Sequence, residues 1–201
     1  MKALIDRMIV SDVLRSDSII AAFSAVDRKY FVPKLYDEHT YVDVPLSIGN
    51  DQTISQPSTV AFMLEHLAVQ KGDKVLDIGS GSGWTTALLC YLVGKEGSVS
   101  GLERVDALVE QGRKNISKLN LSSHCSISKA GEHLGSPANR FNRILVSAGA
   151  DEIPEELFSQ LHVGGTLVIP IRDSIYKFKK VSELEITEEA FYGFRFVPLL
   201  Y

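Results

Sequence analysis

Three glycines in five residues, Gly79, Gly81 and Gly83 in the run VLDIGSGSGW, constrain this chain more than any other feature. A short apolar strand, KVLDI, leads into them, and an apolar helix pattern, TTALLCYLV, follows and stops at Gly94. Glycines weaken helix entry unless the backbone must approach something closely, and the start of the following helix is a natural place for a ligand. The same grammar then repeats. SVSGLE predicts a second strand and VDALVEQGRKNISKL a second helix with apolar residues on one face. HCSISK and RILVSA are further strand candidates, IPEELFSQLH a helix starting around Pro154, and GGTLVIPI a buried strand. Strands alternating with helices at this spacing imply βαβ units, hence a parallel sheet covered on both faces.

The two ends read differently. Met1 to about Val13 mixes apolar and charged residues at helical spacing, and Ser16 or Asp17 caps a second helix, SIIAAFSAVD. An aromatic-rich irregular segment, FVPKLYDEHTYVDVP, follows. At the other end VSELEIT and FYGFRFVPL predict two strands joined by a short acidic turn, an antiparallel hairpin closing the sheet. We therefore expect one domain over 1–201, with a helical preface and loop in 1–60 and an α/β core in 61–201.

What the glycine loop could hold depends on spacing. A dinucleotide fingerprint is G-x-G-x-x-G, whereas this loop is G-x-G-x-G with Trp84 in the final slot. With Asp77 before the glycines, the pattern D-x-G-x-G-x-G resembles class I S-adenosylmethionine-dependent methyltransferases. Glu103, ending the second strand, fits ribose hydroxyls, although that role is common to both cofactors. Asp77, Gly79, Ser80, Gly81, Ser82, Gly83 and Glu103 are the candidate cofactor residues, with S-adenosylmethionine as the cofactor.

A polar loop, NDQTISQPSTV, precedes the core. With AFSAVDRKYFVP, YVDVPLSIG, TISQP, VLDIGSGSGW, IPEELFSQLHVGGTLVIPI and FVPL in that order, the chain resembles the protein-L-isoaspartate O-methyltransferase family over nearly its whole length. The resemblance implies a Rossmann-like class I methyltransferase: a mostly parallel seven-stranded sheet, a C-terminal antiparallel hairpin and an N-terminal helical extension. It also implies methyl transfer from S-adenosylmethionine to the carboxylate of L-isoaspartyl (or D-aspartyl) residues in damaged proteins, after which the ester collapses to a succinimide. Ser55 takes the family's active-site serine position, Thr53 and Ile54 shape the acceptor pocket, and Ser58 and Gly131 fall near the cofactor. Simple capping of the next helix, with Pro57 in its first turn, stays open as an alternative for Ser58 and Ser55. The family pattern is broken at Ala130, Asn142, Arg172 and Leu200, and Asp51 stands where a small residue is frequent. A related enzyme with another carboxylate acceptor, or a cofactor-binding descendant without turnover, are the competing readings.

Other signals are weak. The formal net charge of −4 gives no overall basic field for nucleic acid or an anionic membrane. Lys177, Lys179 and Lys180 read as a solvated face. His39, His66, His124, His133 and His162 have no metal-ligand spacing, and no metal is expected. No run reaches the ~18 apolar residues of a membrane span, and the first residues lack a signal-peptide core. Cys90 and Cys125 show no metal or redox spacing, and Cys90 reads as a small core residue. Isoaspartyl peptides or proteins are the expected partners of a cytoplasmic monomer.

Overall fold

The βαβ grammar produces a seven-stranded sheet in the computed structural model, which describes residues 1–119 and 124–200. Its strands are β3 (Lys74–Ile78), β4 (Ser98–Glu103), β5 (Cys125–Lys129), β6 (Phe141–Val146), β7 (Leu161–Ile171), β8 (Ser174–Lys180) and β9 (Ile186–Tyr192). They lie in the order β5-β4-β3-β6-β7-β8-β9. The first five are mutually parallel, and β8 and β9 are antiparallel additions. The strand order reverses direction between β3 and β6, the point where open sheets of this kind leave a crevice beyond their carboxyl ends.

Both faces of the central strands β3, β6 and β7 are apolar because both are covered. Val75, Leu145 and Val168 point into one cluster, while Leu76, Ile144, Val146, Leu167 and Ile169 point into the other. Alternation along each strand sends successive residues to opposite faces. The first cluster is completed by the preface helices α1 (Lys2–Val10) and α2 (Asp17–Ala25), together with α3 (Pro57–Leu67) and α4 (Trp84–Val93). On the same face α5 (Asp106–Ser117) adds Leu108 to this cluster and buries Val109 and Ile116 against Ile127, while Leu157 and Leu134 cover the other face. The helix α6 keeps only Glu156–Ser159, much shorter than IPEELFSQLH suggests, because β7 begins at Leu161.

Several local expectations are corrected. The C-terminal hairpin pairs β8 with β9, so SIYKFKK is a strand and VSELEIT straddles the turn and the start of β9. In consequence Lys180 is not solvated: it is 3% exposed, its Nζ lies 2.7 Å from Glu183, and it donates to the carbonyls of Phe158 and Leu161. After β9 the chain leaves the sheet, so FRFVPL is an irregular tail touching it through one isolated bridge, Gly149 to Pro198. Ser16 does occupy the N-cap position of α2, but its hydroxyl donates to Glu65, whose carboxylate also accepts from the Arg15 and Ser16 amides.

Cys90 is fully buried, as a core residue should be, yet its sulfur is bonded to Cys125, linking α4 to β5. A separation of 35 residues gave no sign of this pairing. No helix among the described residues is long and apolar enough to cross a membrane.

Candidate active site

The polar loop ahead of the core is a hairpin rather than a simple connection. Strands β1 (Leu46–Gly49) and β2 (Gln52–Ile54) pair antiparallel around Asn50 and Asp51, both at positive φ, 53° and 58°. Asn and Asp tolerate that region, which two-residue hairpins of this hand require. Asp51 therefore stands exposed at a turn, and its presence is explained by backbone geometry. Ile54 is buried, which anchors β2 while Thr53 remains exposed. Pro57 begins α3 as expected. The helix is not capped by Ser55 or Ser58: Asp43 reaches in from the preface and accepts the Ser58 amide at 2.9 Å and the Gln56 side-chain amide at 3.3 Å. That removes the capping alternative for both serines.

Arg28 fixes the hairpin to the glycine loop. The side chain is fully buried and donates to the carbonyls of Thr40, Val42, Val44 and Ser55 at 2.9, 3.2, 3.0 and 3.1 Å. Its guanidinium lies 5.4 Å from the ring centre of Trp84, which also packs edge-on against Phe23 at 5.6 Å. Burial lowers the Arg28 pKa to about 10, partly offset by Asp43, so the group stays charged at neutral pH. The tryptophan that replaces a fingerprint glycine thus serves as the seat for the preface. The sequence shows Arg28 only as one basic residue before FVP.

Within the loop, Gly83 has φ 92°, and a Cβ there would come within 3.0 Å of Ile127 and 3.3 Å of the Gly112 backbone. Gly81 has φ 52°, and its amide donates to Glu103 at 2.9 Å. The other Glu103 oxygen accepts the Val105 amide at 2.8 Å. A carboxylate has about four acceptor sites, so one or more remain for a ligand's hydroxyls. Asp77 lies beneath the loop, fully buried, and one of its oxygens accepts from Thr85 and Thr86 at 2.9 and 2.6 Å. Burial above all, with Glu103 adding to it, raises its pKa to about 6 against the pull of the two threonines. Its other oxygen and the Ser80 hydroxyl are buried and find no partner among the described residues.

Three hollows run along the carboxyl ends of the strands. The first, about 480 Å³, lies among Gly79, Leu102, Glu103, Ala130, His133 and Leu134, with Pro198, Leu199 and Leu200 of the tail above. The second, about 290 Å³, is bounded by Thr53, Ile54, Ser55, the loop from Gly79 to Ser82, and Ser147. The third, about 710 Å³, shares Thr53, Ser55 and Ser147 with the second and adds Pro45, Gln56, Thr59 and Arg195–Val197. Gly79 lines both the first and the second, so the hollows lie side by side around the glycine loop.

Most predicted site residues meet here. Ser55, Thr53, Ile54, Gly79, Ser80, Gly81, Ser82 and Glu103 line these hollows. Gly83 shapes the loop from behind, and Asp77 supports it from below. Ser58 lines none of the three, nor does Gly131, which follows the lining residue Ala130. His133, Leu134, Ser147 and Arg195 were not foreseen, and FVPL, read from the sequence as part of a strand, proves to be a wall of the hollows. Gly149 fixes the tail, its amide donating to Val197 at 2.7 Å and its carbonyl accepting from Leu199 at 2.8 Å.

S-adenosylmethionine suits this donor set. Glu103 has acceptor capacity left for ribose hydroxyls, the first hollow is mostly apolar, and the buried anion with an unpartnered oxygen under the loop favours a cationic ligand. The sheet and this site together define a class I S-adenosylmethionine-dependent methyltransferase.

Comparison with known proteins narrows the class. The profile of the family described as protein-L-isoaspartate(D-aspartate) O-methyltransferase matches residues 1–201. A protein-L-isoaspartate O-methyltransferase of Ignicoccus hospitalis is 35% identical, the match covering 99% of this chain and 96% of the relative. One from Fervidobacterium nodosum is 39% identical over 92% and 94%. A solved Plasmodium falciparum structure, described as a protein-L-isoaspartate O-methyltransferase with S-adenosyl-L-homocysteine, superposes with a TM-score of 0.89 at 27% identity, covering 99% of this chain and 97% of that one. The chain belongs to the protein-L-isoaspartate(D-aspartate) O-methyltransferase family.

Proposed function

We propose that the chain transfers a methyl group to the carboxylate of L-isoaspartyl or D-aspartyl residues, with acceptor and donor meeting between β2 and the glycine loop. The observation that carries this reading is the wall common to two hollows: Thr53, Ser55 and Ser147 face both the glycine-loop side and the open groove beyond. Bound S-adenosylmethionine supplies a methyl group on a sulfonium, already electrophilic. A carboxylate with a reference pKa of about 4 is ionised at neutral pH, so no residue of the chain needs to remove a proton. The protein's work is positioning and exclusion of water.

Glu103 and the backbone of Gly79–Gly83 would hold the ribose and the amino-acid portion of the cofactor. The pocket wall of Leu102, Ala130, His133 and Leu134 offers an apolar bed for adenine. The Ser55 hydroxyl has no hydrogen-bond partner among the described residues, and its backbone is held by Arg28. It donates to the acceptor carboxylate and orients it. Ile54 closes the side of the pocket, and Thr53 lies at its mouth.

The test pairs an isoaspartyl peptide with its aspartyl twin in the presence of labelled S-adenosylmethionine. Labelling of the isoaspartyl form alone is expected; equal labelling of both, or none, defeats the proposal. Ser55→Ala should lower kcat/KM by about 10- to 100-fold, the loss of a hydrogen bond to a charged group at about 1.5–3 kcal/mol. An unchanged kcat/KM removes Ser55 from the site.

A further inference from the structure

The groove that receives the acceptor is bounded by Pro45, Thr53, Ser55, Gln56, Thr59, Ser147, Phe196 and Val197, all uncharged, and by one charged residue, Arg195. Among the described residues Arg195 makes no ion pair or side-chain hydrogen bond. Its backbone is nevertheless held on both sides. Gly193 and Phe194 donate to the Asp173 carbonyl at 3.0 and 2.9 Å, and two residues later Val197 is bound to Gly149 at 2.7 Å. Phe194 also packs on Phe62, with ring centres 5.0 Å apart. An exposed cation is thereby carried on a fixed stretch of tail that lines the groove, in a chain whose net charge is −4.

We propose that Arg195 is the specificity-determining cation of this groove, admitting anionic acceptors and failing to retain the neutral product. The inference rests on the carboxylate-acceptor reading above. In the transfer, a carboxylate oxygen forms a bond to the methyl carbon as the carbon–sulfur bond breaks, and that electron pair stays on sulfur. The carboxylate becomes a neutral ester and the sulfonium a neutral thioether. A cation bound tightly to the attacking oxygen would stabilise the reactant more than the transition state and slow the reaction. At the mouth of the groove the same cation concentrates substrate without that cost. Its attraction then vanishes when the ester forms.

The experiment compares wild type, Arg195→Ala and Arg195→Lys with an isoaspartyl peptide at low and high salt. Arg195→Ala should raise KM about five- to tenfold at low salt, with kcat held within about twofold, and the difference should shrink at high salt. Arg195→Lys should recover most of the loss. As an inhibitor, an isoasparaginyl peptide, whose amide replaces the anion, should bind wild type and Arg195→Ala equally. Titration with S-adenosylhomocysteine should give the same affinity in all three, which separates this effect from a damaged cofactor site. A wild type that methylates the peptide beside an Arg195→Ala variant with unchanged KM overturns the inference alone, as does a loss confined to kcat. Absence of methylation by wild type defeats the acceptor reading and this inference with it.

Discussion

Replacing Asp77 with asparagine should change how stability depends on pH. The carboxyl group is fully buried, and its pKa is raised from 3.8 to about 6. Because the folded value lies above the unfolded one, the folded state binds the proton more tightly. The group's contribution is fully present below about pH 4 and is lost as pH rises through about 6. The interval of 6 − 3.8, roughly 2.2 units at 1.36 kcal/mol each, corresponds to about 3 kcal/mol lost by neutral pH. Asparagine keeps an oxygen for Thr85 and Thr86 but cannot ionise. The stability of Asp77→Asn relative to wild type should therefore improve by about 2–3 kcal/mol between pH 4 and pH 7.5. Urea unfolding at several pH values, followed by fluorescence of Trp84, the single tryptophan, measures it directly. Parallel stability profiles for the two proteins would refute the reasoning. The same variant should bind the cofactor more weakly, since it removes the buried anion beneath the loop.

Arg28→Met should destabilise the protein by about 3–5 kcal/mol, because four carbonyls lose a buried charged donor. Arg28→Lys should not restore it, as an ammonium cannot serve carbonyls spread across a planar fork; urea melts check both, and a loss under about 1 kcal/mol counts against the hub. Ala68 ends α3 at φ 52°, so Ala68→Gly should raise stability by about 1 kcal/mol in the same assay.

The parts of the fold written in local chemistry were legible beforehand. The glycine loop, Gly94 ending α4, Pro57 opening α3 and the alternation of strands and helices each depend on residues close in sequence. Glu103 could be placed for the same reason. The β1–β2 hairpin was missed because its turn is Asn50-Asp51, without the glycine that usually signals one. Strand β8 was hidden by its lysines, one of which is buried only because Glu183 and two carbonyls receive it. Capping stayed open as an alternative for Ser58 and Ser55 since nothing local reveals that Asp43, 15 residues before Ser58, does that task. Arg28, the Cys90–Cys125 bond and the tail's place over the hollows are products of distant encounters. Their residue types are common, and only the folded backbone brings them together.

The tail from Arg195 to Leu200 covers hollows whose other walls come from Pro45 to Thr59 and from the middle of the chain. A chain cut after Gly193 would keep every strand of the sheet and the whole glycine loop, yet its hollows would lose one wall. The groove is complete only with the residues beyond Gly193 settled against Gly149. Shortening the tail should therefore cost binding before it costs fold, since the closing wall is laid on a scaffold that is already complete without it.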